Sequence, residues 1–528
     1  MQGNCERMEY LPALPHFRQW IKGFNFQQLL QPQSDIYGVA QSMTQELVLD
    51  KLPEDILHHI HSLLPLQDAA HAACVSHGLL HSWRCYSTLI LNTQTLGLTR
   101  EKLGSDKEIE IQLIDKVDHI LNKHCGTVLK TLELDLFPCD SISASDLDRW
   151  LQTSVKSGIN KLSLVVSTFM EKEYNFPCSI LSDDTAARSI QSLHLYGCAF
   201  QPTETLGWLA RLKNLELCFL KITDEGLGHL LSKSFALEQL EIGYCDEITC
   251  LKMPCKLQYL KSLRVESCAI IQLVEINAPK LSSFQYIGTQ IEINVTDFAQ
   301  LKDVELLHTK PFGILSHAYA QLPSIAPNVG SLTLRSHNES FSTPVLPVKL
   351  RHLKKMEIQL RRSVLALWSS CDFFCLIPYL DTAPALESFI LRVGLAGIEH
   401  DSVISVGDDE LRRKPECRHH RLRRVMIKGF CSTKSMVEFM RHILESTPSL
   451  ERLTLDTTVS CRRRFQTWPA IENYPASEVL IQQCRKMCTK DLAKAHRAAE
   501  AANRYIAGRV PSAVEYTIMN PCIGCHGC

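Results

Sequence analysis

Residues 212–249 read LKNLELCFLKITDEGLGHLLSKSFALEQLEIGYCDEIT. The stretch holds one structural unit and the opening of the next. Leu212, Leu215 and Leu217 are spaced apolar–x–x–apolar–x–apolar, and Leu237, Leu240 and Ile242 repeat that spacing. The closing apolar–x–apolar pair has the period-two alternation of a strand, whose successive side chains point to opposite faces. Between the two, Thr223-Asp224 suits a helix start, and Leu227, Leu230 and Leu231 would face inward. Each unit therefore predicts one short strand and one returning segment. Neither can bury its apolar face alone, so units must stack and share a core that runs along the stack.

The spacing recurs in both directions along the chain. It appears at Leu129-Leu132-Leu134, Ile159-Leu162-Leu164, Ile190-Leu193-Leu195, Leu260-Leu263-Val265, Leu281-Phe284-Tyr286 and Leu301-Val304-Leu306. It returns at Val329-Leu332-Leu334, Leu353-Met356-Ile358, Leu386-Phe389-Leu391, Leu422-Val425-Ile427 and Leu450-Leu453-Leu455. Thirteen copies spaced 20 to 36 residues apart carry the leucine-rich-repeat signature with irregular lengths. Three copies run on to Cys198, Cys245 and Cys268, small residues suited to a buried turn. Residues 222–249 resemble the cysteine-containing repeat common in F-box proteins. The spacers near 310–328, 361–385 and 394–421 hold most of the Pro and Gly of the array, and are expected to be loops on one rim. The last contains Arg412-Arg413-Lys414 and the run from Arg418 to Arg424, read as a solvated loop, with phosphate binding or nuclear import as alternatives.

Before the repeats, residues 49–92 read LDKLPEDILHHIHSLLPLQDAAHAACVSHGLLHSWRCYSTLILN. Pro53 suits a first helical position, with Glu54 and Asp55 on the first turn, where the helix dipole favours negative charge. Ile56, Ile60, Leu63 and Leu64 then form one apolar face, and Pro65 stops the helix. A second helix from about Asp68 carries Ala69, Ala70, Ala73 and Cys74, and Ser76 can cap a third that ends near Trp83. Three short helices bury little, so apolar surface should remain for a partner. Leu52-Pro53, Ile56, Ile60, Leu64-Pro65-Leu66, Asp68, Val75-Ser76 and Trp83 match the F-box pattern in order and spacing, and the segment resembles that family. The resemblance implies docking on a Skp-type adaptor bound to a cullin scaffold. It implies adaptor-binding roles for Leu52, Pro53, Ile56, Leu57, Ile60, Leu64, Leu66, Val75 and Trp83. One departure is His77-Gly78, where the family usually has a basic residue followed by a large one. A buried His77 would make the contact pH-sensitive.

After the repeats, Ser477 looks like an N-cap. Leu480, Cys484, Met487, Cys488, Leu492, Ala495, Ala499, Ala502 and Ile506 form a helical stripe that Gly508 and Pro511 end. Such a helix would cover the open end of the stack. A strand over Ala513 to Ile518 follows, and this tail resembles that of grass F-box/leucine-rich-repeat proteins. The terminal Cys522, Cys525, His526 and Cys528 are too closely spaced for an unstrained zinc site, so a surface-packed tail is expected.

The whole chain has 528 residues, 45% hydrophobic and 21% charged, and a net charge of -1. That is ordinary globular composition, with no bulk electrostatic pull toward nucleic acid or membrane. The N-terminus shows no secretory pattern, so the 22 cysteines are read as reduced thiols of a cytoplasmic or nuclear protein. There is no P-loop, no Gly-x-Ser-x-Gly and no His-Glu-x-x-His; no catalysis, cofactor or metal is expected.

The expected fold is α/β, a three-helix F-box head followed by an irregular leucine-rich-repeat solenoid with parallel strands on its concave face and a C-terminal helical cap. The expected segments are a leader over 1–48, the head over 49–92, the solenoid over 93–456 and the cap and tail over 457–528. The expected function is substrate recognition in a Skp–cullin–F-box ubiquitin ligase. The alternatives are a binding scaffold outside any ligase and a small-molecule receptor. On the concave face the early repeats carry Glu133, Asp135, Glu216, Glu241 and Glu266, with Arg264 against the trend. The later ones carry Arg335, Lys355, Arg392, Arg424, Lys428 and Arg452, with Glu357 and Asp456 against it. An acidic-to-basic gradient is therefore expected, with the six basic residues as the target site.

Overall fold

The computed structural model describes residues 53–520 apart from 65, 75–76, 99–102, 125–128, 156–157, 171, 183, 255–256, 297–298, 309–313, 338–348, 362–371, 395–401, 404–410, 413–416 and 459–488. Fifteen parallel strands form one open sheet in chain order, from Thr88–Leu91 to Glu515–Met519. Thirteen of them coincide with the thirteen repeats. Register is in phase throughout: Leu132, Leu162, Leu193, Leu215 and Leu240 stand side by side, and so do Leu134, Leu164, Leu195, Leu217 and Ile242. These two inward rows are buried and belong to one core that runs the length of the array. Moving a strand by one residue would turn both rows to solvent, so the pattern pins the register.

The returning side differs from expectation in two places. The spacer near 310–328 contains a helix, Ile314–Ile325, that buries Leu315, Tyr319, Leu322 and Ile325. Pro323 obscures that period in the sequence. The spacer 361–385 holds a 3-10 turn, Phe373–Leu376, and a short helix, Ile377–Asp381, both with buried apolar residues. These segments are therefore packed walls rather than rim loops. Where the repeats are closest in sequence, the return is a second three-stranded parallel sheet, Cys250–Lys252, Leu273–Ile276 and Glu292–Val295. An extended chain rises about 3.3 Å per residue against 1.5 Å for a helix, so short repeats favour an extended return. The helix Asp224–Ser232 forms as expected, with the Thr223 hydroxyl accepting from the Gly226 N–H at 3.2 Å. Cys198, Cys245 and Cys268 are buried at the turns.

The head is three helices, α1 (Glu54–Ser62), α2 (Leu66–Ala73) and α3 (His77–Arg84). Its own core is Leu57, Leu64, Ala69, Ala72 and Leu79, with Trp83 packed against it. Pro53 sits one position earlier than expected, as the N-cap whose carbonyl accepts from Ile56 and Leu57. His61 is fully buried, and its Nε2 donates to the Ala69 carbonyl at 2.9 Å, tying α1 to α2. Burial holds its pKa below the ordinary value. The head is tied to the array by Leu66 and Tyr86, which lean on the repeat core, and by His124 Nε2 donating to the Tyr86 carbonyl at 2.7 Å.

At the other end the helix Thr489–Tyr505 buries Ala495, Ala498, Ala501, Ala502 and Tyr505. The Tyr505 hydroxyl donates to the Val403 carbonyl at 3.0 Å. Strand Glu515–Met519 then pairs with Arg452–Asp456. Ser477, Leu480, Cys484, Met487 and the tail Cys522, Cys525, His526 and Cys528 lie outside the described residues, as does the leader 1–48. No helix among the described residues is long and apolar enough to cross a membrane.

Candidate adaptor and target surfaces

The head divides its apolar residues between two sides. Leu57 and Leu64 face the core, but Ile56 and Leu63 stand 42% and 54% exposed on the opposite side of α1. Ile60 between them is half-buried, so the three form a stripe at i, i+4 and i+7. Pro53 at its head is exposed. Leu66 and Trp83 are half-buried, the first on the repeat core and the second on the head core. Leu52 and Val75 lie outside the described residues, as does the side chain of His77. The nine residues taken from the F-box pattern thus split. Leu57 and Leu64 hold the head together, whereas Pro53, Ile56 and Ile60 present a surface that none of the described residues fully covers.

On the concave face the strand positions one, three and five point outward, and each forms a row across the sheet. Row three runs Glu133, Ser163, His194, Glu216, Glu241, Arg264, Gln285, Glu305, Thr333 and Glu357. All six basic residues singled out in the sequence lie on rows one or five. The structure pairs three of them with carboxylates of this chain. Arg335, nearly buried, reaches Glu305 at 2.6 Å; Arg392 meets Glu357; Arg452 meets Glu515 at 2.7 Å. Lys355 and Arg424 are exposed, and Lys428 is half-buried. Arg412, from the basic run, bridges Asp372 and the buried Glu438, each at 2.7 Å, so it is a structural residue.

The acidic half has the opposite character. Glu133 is paired with Lys161 at 2.6 Å, and Arg264 serves both Glu241, at 3.2 Å, and Glu266. His194 Nε2 lies 3.5 Å from Glu216. Burial, helped by Lys161, pushes the imidazole down to about 4, so it is neutral near pH 7 and gives Glu216 no countercharge. Burial raises the carboxyls of both Glu216 and Glu241 above the ordinary range. Cys218, beside them, is pushed strongly up by burial and then by Glu216, Glu241 and Glu266.

Where these strands end runs a feature that sequence reading missed. The residue after position five has a left-handed backbone in four consecutive repeats: Gly197 (φ 78°), Phe219 (φ 53°), Tyr244 (φ 53°) and Ser267 (φ 51°). The first three donate their N–H to the position-five carbonyl of the next strand, at 3.1, 2.8 and 2.7 Å. At Gly197 a Cβ would fall 2.3 Å from the Val166 carbonyl oxygen, so glycine is required. Two repeats instead place a bulky ring there, at a cost of about 1–2 kcal/mol each. The rings form a ladder: Tyr196 and Phe219 lie 4.9 Å apart, and Phe219 stacks on Tyr244 at 4.3 Å with 6° between planes. Tyr244 donates its hydroxyl to Glu266 at 3.1 Å. The signal in the sequence is that Gly197-Cys198, Phe219-Leu220, Tyr244-Cys245 and Ser267-Cys268 occupy one repeat position, where a glycine and a serine flank two aromatics.

Two groups among the described residues bring three possible metal donors within 4.8 Å of one another: Asp381, His419 and His442, and Glu216, Cys218 and Glu241. In the first, His419 Nε2 lies 3.5 Å from the Asp381 carboxylate, an imidazole–carboxylate contact that links the last spacer to the helix before it. An open depression of about 700 Å³ lies off the concave face, between residues 269–272 and 289–292.

A helical head with an apolar stripe exposed among the described residues, fused to an open parallel-strand array with a charged concave face, defines an F-box protein with a leucine-rich-repeat body. Residues 49–85 match the F-box domain model, and residues 120–523 match the model of the At1g61320/AtMIF1 LRR domain. The second covers most of the chain, which therefore belongs to that family of leucine-rich-repeat proteins. Relatives are Arabidopsis thaliana proteins. The F-box/FBD/LRR-repeat protein At1g13570 is 22% identical over 421 residues, 78% of this chain and 91% of the relative. The F-box/LRR-repeat protein At5g02910 is 25% identical over 296 residues, 54% of this chain and 59% of the relative. The F-box/LRR-repeat protein At4g14096 is 23% identical over 436 residues, 77% of this chain and 87% of the relative.

Proposed function

We propose that this chain is the substrate-recognition subunit of a Skp–cullin–F-box ubiquitin ligase, acting in the cytoplasm, the nucleus or both. The observation that carries the reading is the α1 stripe, where Ile56 and Leu63 are exposed although Leu57 and Leu64 already fill the core. Exposed aliphatic residues at i and i+7 on one helix face suit a groove in a partner, and burying the roughly half of each side chain still exposed is worth about 1.5–3 kcal/mol for the two together. The F-box match gives the partner its class, a Skp-type adaptor, and through it a cullin scaffold. The repeats hold a target protein on their concave face, and the chemistry comes from the enzyme the scaffold recruits. This chain then contributes by raising the effective concentration of the target near that enzyme. The resemblance of the tail to that of grass F-box/leucine-rich-repeat proteins supports a grass-type member of the family.

The test is co-purification of the chain with a Skp-type adaptor. Ile56→Asp with Leu63→Asp should weaken that complex more than about 100-fold, with the circular dichroism and melting of the free chain unchanged. Undiminished adaptor binding by the double variant would remove the ligase reading.

A further inference from the structure

We propose that Asp381, His419 and His442 form a zinc site that staples the last spacer of the array to the helices beside it.

The three side chains come from three separate segments. Asp381 ends the helix Ile377–Asp381, His419 lies in the basic run before strand Arg424–Lys428, and His442 lies in the helix Lys434–Ser446. Each offers one donor atom, and the three atoms lie within 4.8 Å of one another. The backbone brings the two imidazoles together before any ion arrives. The His419 N–H donates to the Ser446 carbonyl at 2.8 Å, and the Ser449 hydroxyl donates to the His420 carbonyl at 2.6 Å. Ser446 follows His442 by one helical turn, so the two share a helix face.

Burial sets His419 apart from its neighbours. Arg418, His420, Arg421, Arg423 and Arg424 are all exposed, and within that run only His419 and Leu422 turn inward. Leu422 opens a repeat and belongs to the apolar core. His419 is polar, yet it is 4% exposed, and it shares its site with a second imidazole, His442, at 5%. Gathering two imidazoles and a carboxylate away from water costs free energy, which bonds to a metal ion offset.

The distances suit zinc. His419 Nε2 and the Asp381 carboxylate are 3.5 Å apart. That is long for an N–H···O hydrogen bond. It matches the edge of a zinc tetrahedron, about 3.3–3.5 Å for bonds of about 2.0–2.2 Å. Bringing the third donor to the same edge takes a closure of about 1.3 Å at most. Imidazole with carboxylate is a zinc donor set, whereas magnesium and calcium take oxygen ligands. Among the described residues no fourth His, Cys, Asp or Glu joins the group, so water takes the remaining position. The surroundings favour a bound ion. The Phe374 ring packs edge-on to His442, with centroids 6.4 Å apart, and Arg412 covers Phe374 at 4.7 Å. Asp372 and Glu438 already pair that guanidinium, so its repulsion of an ion is offset.

The experiment uses the full chain carrying Cys522→Ser, Cys525→Ser and Cys528→Ser, so that tail thiolates cannot contribute. After treatment with a chelator it should take up one zinc ion per chain. Cobalt in place of zinc should give the visible bands of a tetrahedral site without the intense thiolate charge-transfer band that Glu216, Cys218 and Glu241 would produce. His419→Gln with His442→Gln should weaken zinc binding about 100-fold or more, beyond what loss of an outer partner causes. Asp381→Asn should weaken it about tenfold, and Glu216→Gln with Glu241→Gln should leave it unchanged. In the parent chain zinc should slow hydrogen exchange over residues 417–422 and 434–446. That readout and the cobalt spectrum decide the matter even where the His variant does not fold. No zinc uptake overturns the proposal and leaves an imidazole–carboxylate contact only. So do a thiolate band, full zinc affinity in the folded His variant, or zinc-dependent protection confined to other segments.

Discussion

The two halves of the concave face are built from the same rows of the same sheet, yet they treat charge differently. In the C-terminal half Arg335, Arg392 and Arg452 each stand beside a carboxylate one strand away, Glu305, Glu357 and Glu515. In the N-terminal half carboxylates outnumber cations, and the one imidazole on the row, His194, stays neutral. Counting charges along the sequence makes the basic end the obvious docking site. Placing them in register makes it the more self-satisfied end, because charges opposite (Arg452 and Glu515) or diagonal (Arg335 and Glu305, Arg392 and Glu357) on adjacent strands cancel before any ligand arrives. The uncompensated end is the acidic one, and it is also the end with the exposed rings.

The largest test of that contrast is Arg335→Ala. If Arg335 is a structural partner of Glu305, its loss leaves a largely buried carboxylate and should cost about 2–3 kcal/mol in chemical denaturation. Unchanged stability would mean that Arg335 is available to a ligand, and the contrast between the halves would collapse.

Glu216→Gln with Glu241→Gln sharpens the other side. Both carboxyls have folded-state pKa values raised by burial, so their protonated forms favour folding and their ionised forms oppose it. The cost is therefore absent at acid pH and appears as pH rises through the raised pKa. The charges facing them are His194, Cys218, Glu266, Arg264 and Lys161, and His194, at about 4, adds no positive charge until the carboxyls are already protonated. The Gln variant should melt about 1–3 °C above wild type near pH 7, and the gap should close as pH falls toward 4. A gap that widens on acidification would contradict this sign.

The smallest effect is expected from Lys355→Glu with Arg424→Glu, two exposed sites at the basic end. Stability should move by no more than about 0.5 kcal/mol in chemical denaturation. A larger change would show that these two charges are structural partners as well.

The spacing of Leu212, Leu215 and Leu217 and its twelve companions was enough to determine the parallel array, its register and its buried cysteines, because a period-two pair and an irregular repeat length leave few ways to bury the apolar set. The F-box pattern was equally legible, but it did not separate Leu57 and Leu64, which make the head core, from Ile56 and Leu63, which face outward. Each of these is one apolar residue on a short helix, and only the packing of α2 and α3 chooses the side. The strands that replace helices behind residues 250–295 follow from repeat length, whereas the helix Ile314–Ile325 was hidden by Pro323. Which charges remain uncompensated depends on which strand lies beside which, a distance of one repeat in space but 20 to 36 residues in sequence. The left-handed turns under Phe219 and Tyr244 belong to the tertiary structure as well. Nothing in those residue types asks for that backbone; the hydrogen bonds to the next strand impose it, and only then do the rings stack on one another.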